Sequence, residues 1–371
     1  MKNKGLYVHV PFCRRKCHYC HFLSSTRLEQ AAGYIEDLLL EIKLYQEEIE
    51  GVTTLYFGGG TPSILAMKEM DRIFRALDLN GLKEVTLEVN PESLTLEKLK
   101  GYRALGINRI SMGIQTSNDD FLRILGRGHT FCQARERVEW IKASGFDNFN
   151  VDLMYGLPGQ RVEDVERDLE HFTALGAPHI SAYGLTYDEG TDFHRRLAAG
   201  LLQQVSDEED RRMFALIKER LGAEGLERYE ISNFARPGYE SRHNLIYWSG
   251  EAYIGLGPGA HGYLGGRRYE NQWDFARYHS ALERGEKPYR VLEEASGRDL
   301  EFEYLMLALR KVRGFEVEDF NDRFNKDFLK TYDRVLKKLL ASGVLTINEG
   351  RVAFTDYGFD ISNEALVHFM K

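Results

Sequence analysis

The first half of the 371-residue chain repeats one pattern: a short β-branched or aromatic run, then an amphipathic helical stretch closed by glycine. Candidate strands are Leu6–Val10, Thr54–Phe57, Glu84–Val89, Arg109–Ile114, Asn148–Met154 and His179–Gly184. A first helix is predicted from about Gln30 to Ile49, with Ile35, Leu38, Leu39 and Ile42 on one face. Helices predicted over Glu97–Leu105, Ala134–Ser144 and Val162–Leu175 stop at Gly106, Gly145 and Gly176, the residue type that best takes a left-handed cap. Six strand–helix units in series imply a parallel sheet with right-handed crossovers. Six strands are too few to close an eight-stranded barrel, which leaves a partial barrel or an open doubly wound sheet. In both, ligands collect beyond the C-terminal strand ends. Cys13–Cys20, Gly58–Thr61, Glu88, Asn90, Gln115, Asp152 and Tyr155 all fall there.

From Asp188 to about Arg290 the pattern is irregular. A helix over Glu208–Leu221 leads to a strand at Arg228–Ser232 and an aromatic, glycine-rich stretch ending near Asn271. From Arg298, two or three amphipathic helices precede Val344–Ile347, a turn at Asn348–Gly350 and Arg351–Thr355. That order suggests a small, mainly helical, winged-helix-like domain. Its candidate recognition helix, Phe328–Leu340, mixes Lys with Asp and spaces its apolar residues like a core, so a lid or packing role fits better than DNA binding. The chain divides accordingly into 1–187, 188–295 and 296–371.

Composition narrows the function classes. Lys and Arg number 49 against 57 acidic residues, for a net charge of −8, which counts against a nucleic-acid binder. No apolar run approaches the ~20 residues of a membrane span, and Met1–Pro11 lacks a signal-peptide core. The chain therefore reads as cytoplasmic, with at most peripheral membrane contact.

Of the four cysteines, Cys13, Cys17 and Cys20 share one short loop after the first strand. Clustered thiols in a cytoplasmic chain point to a metal or cluster site rather than a disulfide scaffold. Three thiolates can hold three irons of a [4Fe–4S] cube and leave the fourth open. The alternative is zinc, with His18 or His21 completing the set. Cys132 stands alone and is expected to pack as a small buried hydrophobe. Gly58-Gly59-Gly60-Thr61-Pro62 after the second strand permits close approach to a ligand, or simply makes a tight turn. Glu88 ends an apolar strand, where a carboxylate is either a solvated or capping group or, if it faces the site, an acceptor for a ligand ammonium or hydroxyl; Asp152, flanked by apolar residues at its strand end, fits a merely solvated group least. Arg127 suits a bidentate carboxylate contact.

The Cys-x3-Cys-x2-Cys motif, with Tyr19 before the last Cys, resembles the radical S-adenosylmethionine (SAM) superfamily, whose fold is a partial six-stranded α/β barrel. The resemblance implies a [4Fe–4S] cluster on the three cysteines and SAM chelated at the open iron, where one electron can cleave it to a 5′-deoxyadenosyl radical. Leu6–Cys13, the Gly-Gly-Gly-Thr-Pro run, Glu-Val-Asn-Pro-Glu, Ser-Met-Gly-Ile-Gln-Thr and Asp-Leu-Met-Tyr-Gly-Leu-Pro occur in the order of the oxygen-independent coproporphyrinogen III oxidase group. That group implies SAM contacts at Tyr7, Gly59, Gly60, Thr61, Glu88, Gln115, Arg127 and Asp152. Two departures separate the chain from the coproporphyrinogen dehydrogenases themselves. Phe22 stands where they carry a further Cys, and only six residues precede Tyr7 where they carry a long extension. Both departures are usual in the HemW-type heme chaperones.

His243-Asn244-Leu245-Ile246-Tyr247-Trp248 resembles the HNxxYW signature of those chaperones, which implies His243 as a heme ligand. From residue types alone, the stretch reads as a loop histidine beside packed aromatics. His261 is a second-rank ligand candidate. Gly255-x-Gly257-x-Gly259 lacks the helix and acidic partner of a dinucleotide fingerprint. The expectation is a heme chaperone that passes heme to heme-requiring apoproteins such as respiratory enzymes. The resemblance further implies a homodimer and an electron donor such as a flavodoxin or an NADH-linked reductase. The rivals are a coproporphyrinogen III dehydrogenase, another radical SAM reaction on a porphyrin such as heme degradation, and a zinc- and DNA-binding protein.

Overall fold

The computed structural model describes residues 3–370. The six predicted strands are present as β1 (Gly5–Val10), β2 (Thr54–Gly59), β3 (Glu84–Val89), β4 (Arg109–Gln115), β5 (Phe149–Tyr155) and β6 (His179–Gly184). They pair in chain order, all parallel. Helices on their outer face bury apolar stripes against them, as Tyr34, Ile35, Leu38 and Ile42 do in the helix Ala31–Leu44. This is the partial α/β barrel expected.

The connecting region departs from its irregular reading. It adds β7 (Glu227–Arg228), β8 (Asn233–Ala235), β9 (Tyr253–Leu256), β10 (His261–Leu264), β11 (Arg267–Asn271) and β12 (Tyr289–Glu294). The sheet runs β12-β11-β10-β9-β1-β2-β3-β4-β5-β6-β8-β7. Glycines that look like loop residues are here required by strand packing. A methyl on Gly255 would lie 2.0 Å from the His261 carbonyl oxygen, and one on Gly262 would lie 2.0 Å from the Tyr269 ring. Of the expected strand Arg228–Ser232 only Arg228 is in a strand, β7; the rest turns toward β8, with the Arg228 guanidinium folded back onto the carbonyls of Glu230 and Ile231.

Two predicted helices are broken. The first stops at Leu44 and resumes at Gln46, with Tyr45 at φ −107° and ψ 12°. Phe328–Leu340 is split into Phe328–Thr331 and Asp333–Ala341 at Tyr332, whose hydroxyl donates to the buried carboxylate of Glu301. The C-terminal segment pairs β13 (Phe315–Glu316), β14 (Leu345–Asn348) and β15 (Arg351–Phe354) beside these helices around its own core, which includes Phe320, Phe328 and Leu336. No helix among the described residues is long and apolar enough to cross a membrane.

Candidate metal centre and cofactor cavity

The cysteine loop grows out of β1 and is closed at its base by the backbone. Cys13 N–H donates to the Ser25 carbonyl at 3.0 Å, and Ser25 N–H donates to Pro11 at 2.7 Å. Further on, His18 N–H donates to Leu125, and Phe193 N–H donates to His18. The glycine run after β2 is shaped to lie against this loop. Gly59 sits at φ +106°, and a methyl there would lie 2.5 Å from the His9 ring. A methyl on Gly60 would lie 2.6 Å from the Phe12 carbonyl oxygen. The N–H groups of Gly59, Gly60 and Thr61 are already given to Glu88, Val10 and Phe12. Packing against the cysteine loop therefore explains these glycines as well as ligand approach does. Gly60→Ala is expected to destabilise the fold by about 2 kcal/mol and to lower iron content after reconstitution. Thermal melts and iron assays check this, and wild-type values in both would show the contact to be slack.

Beyond the strand ends lies a cavity of ≈480 Å³ lined by Cys13, Cys17, Cys20, Gly59, Gly60, Thr61, Glu88, Asn90, Gln115, Arg127 and Asp152, among others. Of the residues implied as SAM contacts all but Tyr7 converge here, and Tyr155, also expected at this end, instead packs its ring on Phe214 at 5.8 Å. Tyr7 lies a layer deeper, its ring stacked on Tyr56 and its hydroxyl 3.1 Å from His9 Nδ1. Gln115 ends β4 at φ +82°, on a bulge where the pairing jumps from Gly113↔Asp152 to Gln115↔Leu153. A non-glycine residue held in that region is strained, as residues at functional sites often are.

Burial governs the carboxylates. It pushes Glu88 up to about 7, although the Tyr56 hydroxyl (2.8 Å) and Gly59 N–H (3.1 Å) donate to it. Burial likewise raises Asp152, against the opposing effect of its bond from Asn150 Nδ2 at 2.6 Å. Among the thiols, burial raises Cys13, and it pushes Cys20 up to about 11.

Arg127 and Asn90 organise the cavity wall. Arg127 donates to Asn90 Oδ1 and to the Gly113 carbonyl, both at 2.6 Å, and reaches Cys17 Sγ at 3.6 Å. Asn90 Nδ2 donates to Thr61 Oγ1 at 2.9 Å, and Thr61 donates to Cys13 Sγ at 3.4 Å. Sequence reasoning noted Asn90 at its strand end but gave it no role. It missed Tyr56, which the two-residue alternation with Gly58 on β2 could have pointed inward.

These residues fit an iron–sulfur cluster with an amino-acid-like ligand beside it. The three thiols are free and line one space. Arg127 Nε is buried without a partner. Gly113 lets polar side chains crowd over its backbone: a methyl there would lie 2.8 Å from Gln115 Nε2. The zinc set does not assemble: His18 Nδ1 faces the Ile124 carbonyl at 2.8 Å, and His21 pairs with Asp188. Among the described residues no three thiol, imidazole or carboxylate groups converge as one ion requires.

His243 lies elsewhere. It is on a short helix, Arg242–Trp248, rather than a loop, and is 0 % exposed. The helix closes the N-terminal end of the barrel, opposite the cysteines. Thr54 Oγ1 and the Tyr247 hydroxyl each stand 2.7 Å from one ring nitrogen, and the Tyr56 ring stacks at 5.1 Å. Glu84, the first residue of β3, caps the helix by accepting the N–H groups of Arg242 and His243. Burial pushes His243 down to about 3, so its ring is neutral.

A polar chain through the lumen joins this end to the cavity. Ser241 N–H donates to Tyr229 Oη, and Tyr229 faces His179 Nε2. His179 Nδ1 faces Asn150 Oδ1, and Asn150 donates to Asp152. His261 lies on β10, exposed, 3.7 Å from Glu270. Cys132 is exposed, contrary to expectation, because its helix buries Ala134, Val138 and Ile141, on the other side.

Comparison with known proteins agrees with this geometry. The radical SAM superfamily model matches residues 7–172, and the HemN C-terminal domain matches 295–361. The heme chaperone HemW of Lactococcus lactis is 38% identical over 375 residues, covering 100% of this chain and 98% of that protein. HemW of Bacillus subtilis is 34% identical, covering 99% of each. Coproporphyrinogen III oxidase (HemN) from Escherichia coli shares the fold at a TM-score of 0.84, with 22% identity, over 100% of this chain and 90% of that one. At that identity the likeness establishes architecture alone. Sequence identity across the full chain and the radical SAM core together place the protein in the HemW heme chaperone family of the radical SAM superfamily.

Proposed function

We propose that the protein binds a [4Fe–4S] cluster through Cys13, Cys17 and Cys20, SAM in the adjoining cavity, and heme, and that it delivers heme to heme-requiring apoproteins such as respiratory enzymes. The observation that carries this reading is the convergence of three free thiols and buried polar side chains on one cavity, in a member of a heme chaperone family. The cluster, when bound, supplies single electrons; a flavodoxin or NADH-linked reductase would provide them. The setting proposed is the cytoplasm, with the chain as a homodimer. Phe22, 56% exposed on the cavity rim, stands where a coproporphyrinogen dehydrogenase carries cysteine, and this favours the chaperone over the dehydrogenase.

Within the cavity, Glu88 would accept from the ligand's ammonium group, and Gln115 and Arg127 would orient its carboxylate. Heme ligation by His243 belongs to the same proposal, with a condition set by the geometry. The helix Arg242–Trp248 must first release the ring from Thr54, Tyr247 and Tyr56.

The test is a heme titration of the anaerobically reconstituted protein, followed by transfer to an apo-hemoprotein. Stoichiometric binding and transfer support the chaperone. Conversion of coproporphyrinogen at sustained turnover would replace it with the dehydrogenase. A second measurement uses Glu88. With its pKa raised to about 7, the carboxyl is protonated below that value and attracts a cation only as pH rises through it. SAM affinity is expected to rise roughly tenfold from pH 5.5 to 7.0 in the wild type and to stay flat in Glu88→Gln. A flat wild-type profile would remove Glu88 from the ammonium site.

A further inference from the structure

Two cluster thiols are tied together by one hydrogen-bonded belt: Cys13, Thr61, Asn90, Arg127 and Cys17. Its direction is fixed by chemistry. A guanidinium only donates, so Asn90 must turn Oδ1 toward Arg127. Its amide Nδ2 then faces Thr61 and occupies the hydroxyl oxygen as an acceptor. The Thr61 proton is left to point at Cys13 Sγ. Asn90 touches neither sulfur, yet it decides that both receive a donor.

From this geometry we infer that Asn90 is a positioning residue that sets the reduction potential of the cluster by orienting Thr61 and Arg127 toward the ligand sulfurs. The inference rests on the cluster reading above. Donors to thiolate ligands stabilise the reduced, more negative state and raise the potential. Aspartate at position 90 has nearly the same shape but only accepts. It would draw the Thr61 proton to itself and away from Cys13 while still satisfying Arg127.

The experiment is an EPR-monitored redox titration of the reconstituted wild type, Asn90→Asp, Thr61→Val, the double variant and Thr61→Ser, with iron and sulfide assayed in each. Thr61→Val and Asn90→Asp are each expected to shift the reduction equilibrium about tenfold toward the oxidised form, or about 59 mV for one electron. The double variant is expected to shift by less than the sum, because both changes remove the same donor. Thr61→Ser, which keeps the hydroxyl, is expected to match the wild type. Unmoved potentials with full iron content would overturn the inference and leave the cluster reading intact, and so would full additivity, which would reduce the effect to the added charge. If Asn90→Asp loses its iron, the Thr61→Val and Thr61→Ser pair decides. A wild type that takes up no cluster would fail both readings.

Discussion

Replacing Cys13, Cys17 and Cys20 together by alanine is expected to give a folded, colourless protein that keeps no iron after anaerobic reconstitution. The wild type should be brown, with about four irons per chain as three thiolates on one cube require. The fold should survive, because the thiols lie outside the core and backbone bonds from Cys13 to Ser25 and from Ser25 to Pro11 hold the loop base. The stability change should stay within about 1 kcal/mol, the scale of partly exposed substitutions. Iron and sulfide assays, absorption spectra and thermal melts read the three quantities together. A colourless wild type that retains zinc would bring back the structural-metal reading.

The second large effect concerns His243. His243→Ala is expected to cost about 3 kcal/mol, because it empties a buried site and leaves the hydroxyls of Thr54 and Tyr247 without their partner. It is also expected to abolish the histidine-ligated heme spectrum. Loss of heme could follow from loss of fold, so a second set of variants is decisive. Thr54→Val and Glu84→Gln keep the imidazole but loosen what holds it: the first removes a ring partner, the second the charged cap on the helix. Both are expected to speed heme association several-fold while preserving the ligated spectrum. A folded His243→Ala protein with an unchanged heme spectrum would place the ligand elsewhere. Slower association in the loosened variants would contradict release of the helix as the controlling step.

How far the sequence revealed this molecule depends on the element. The six parallel strands were legible because each is a β-branched run and because Gly106, Gly145 and Gly176 mark the preceding helix ends, at φ +88°, +79° and +68°. The strands β9 to β11 were not. Their glycines serve close packing against Tyr269 and His261, and propensity reads such residues as loop. β12 is exposed along its whole length and shows no alternation to read. Residues that stand in a short motif could be placed at the cavity from sequence, and the cysteines, Glu88, Gln115, Arg127 and Asp152 do line it. The roles of Asn90 and Glu84 were not legible, because each acts on a partner distant in sequence, Arg127 for the one and Arg242 for the other. The side of a helix is also hard to read for one residue alone, and for that reason Cys132, which is exposed, was expected to be buried.

The neighbours of β1 carry a consequence for how the chain matures. Gly5 pairs with Thr54 on one side and with Tyr253 on the other. The second partner leaves the ribosome roughly 250 residues after the first strand, an interval of about 12–50 s at ordinary elongation rates. Until then the strand that leads into the cysteine loop keeps one edge of N–H and C=O groups unpaired, a template for wrong partners. The loop itself waits on Leu125 and Phe193 for its backbone bonds. Closure of the cysteine loop and of both edges of β1 is therefore a late event, which needs the chain as far as Tyr253 rather than its first strands alone.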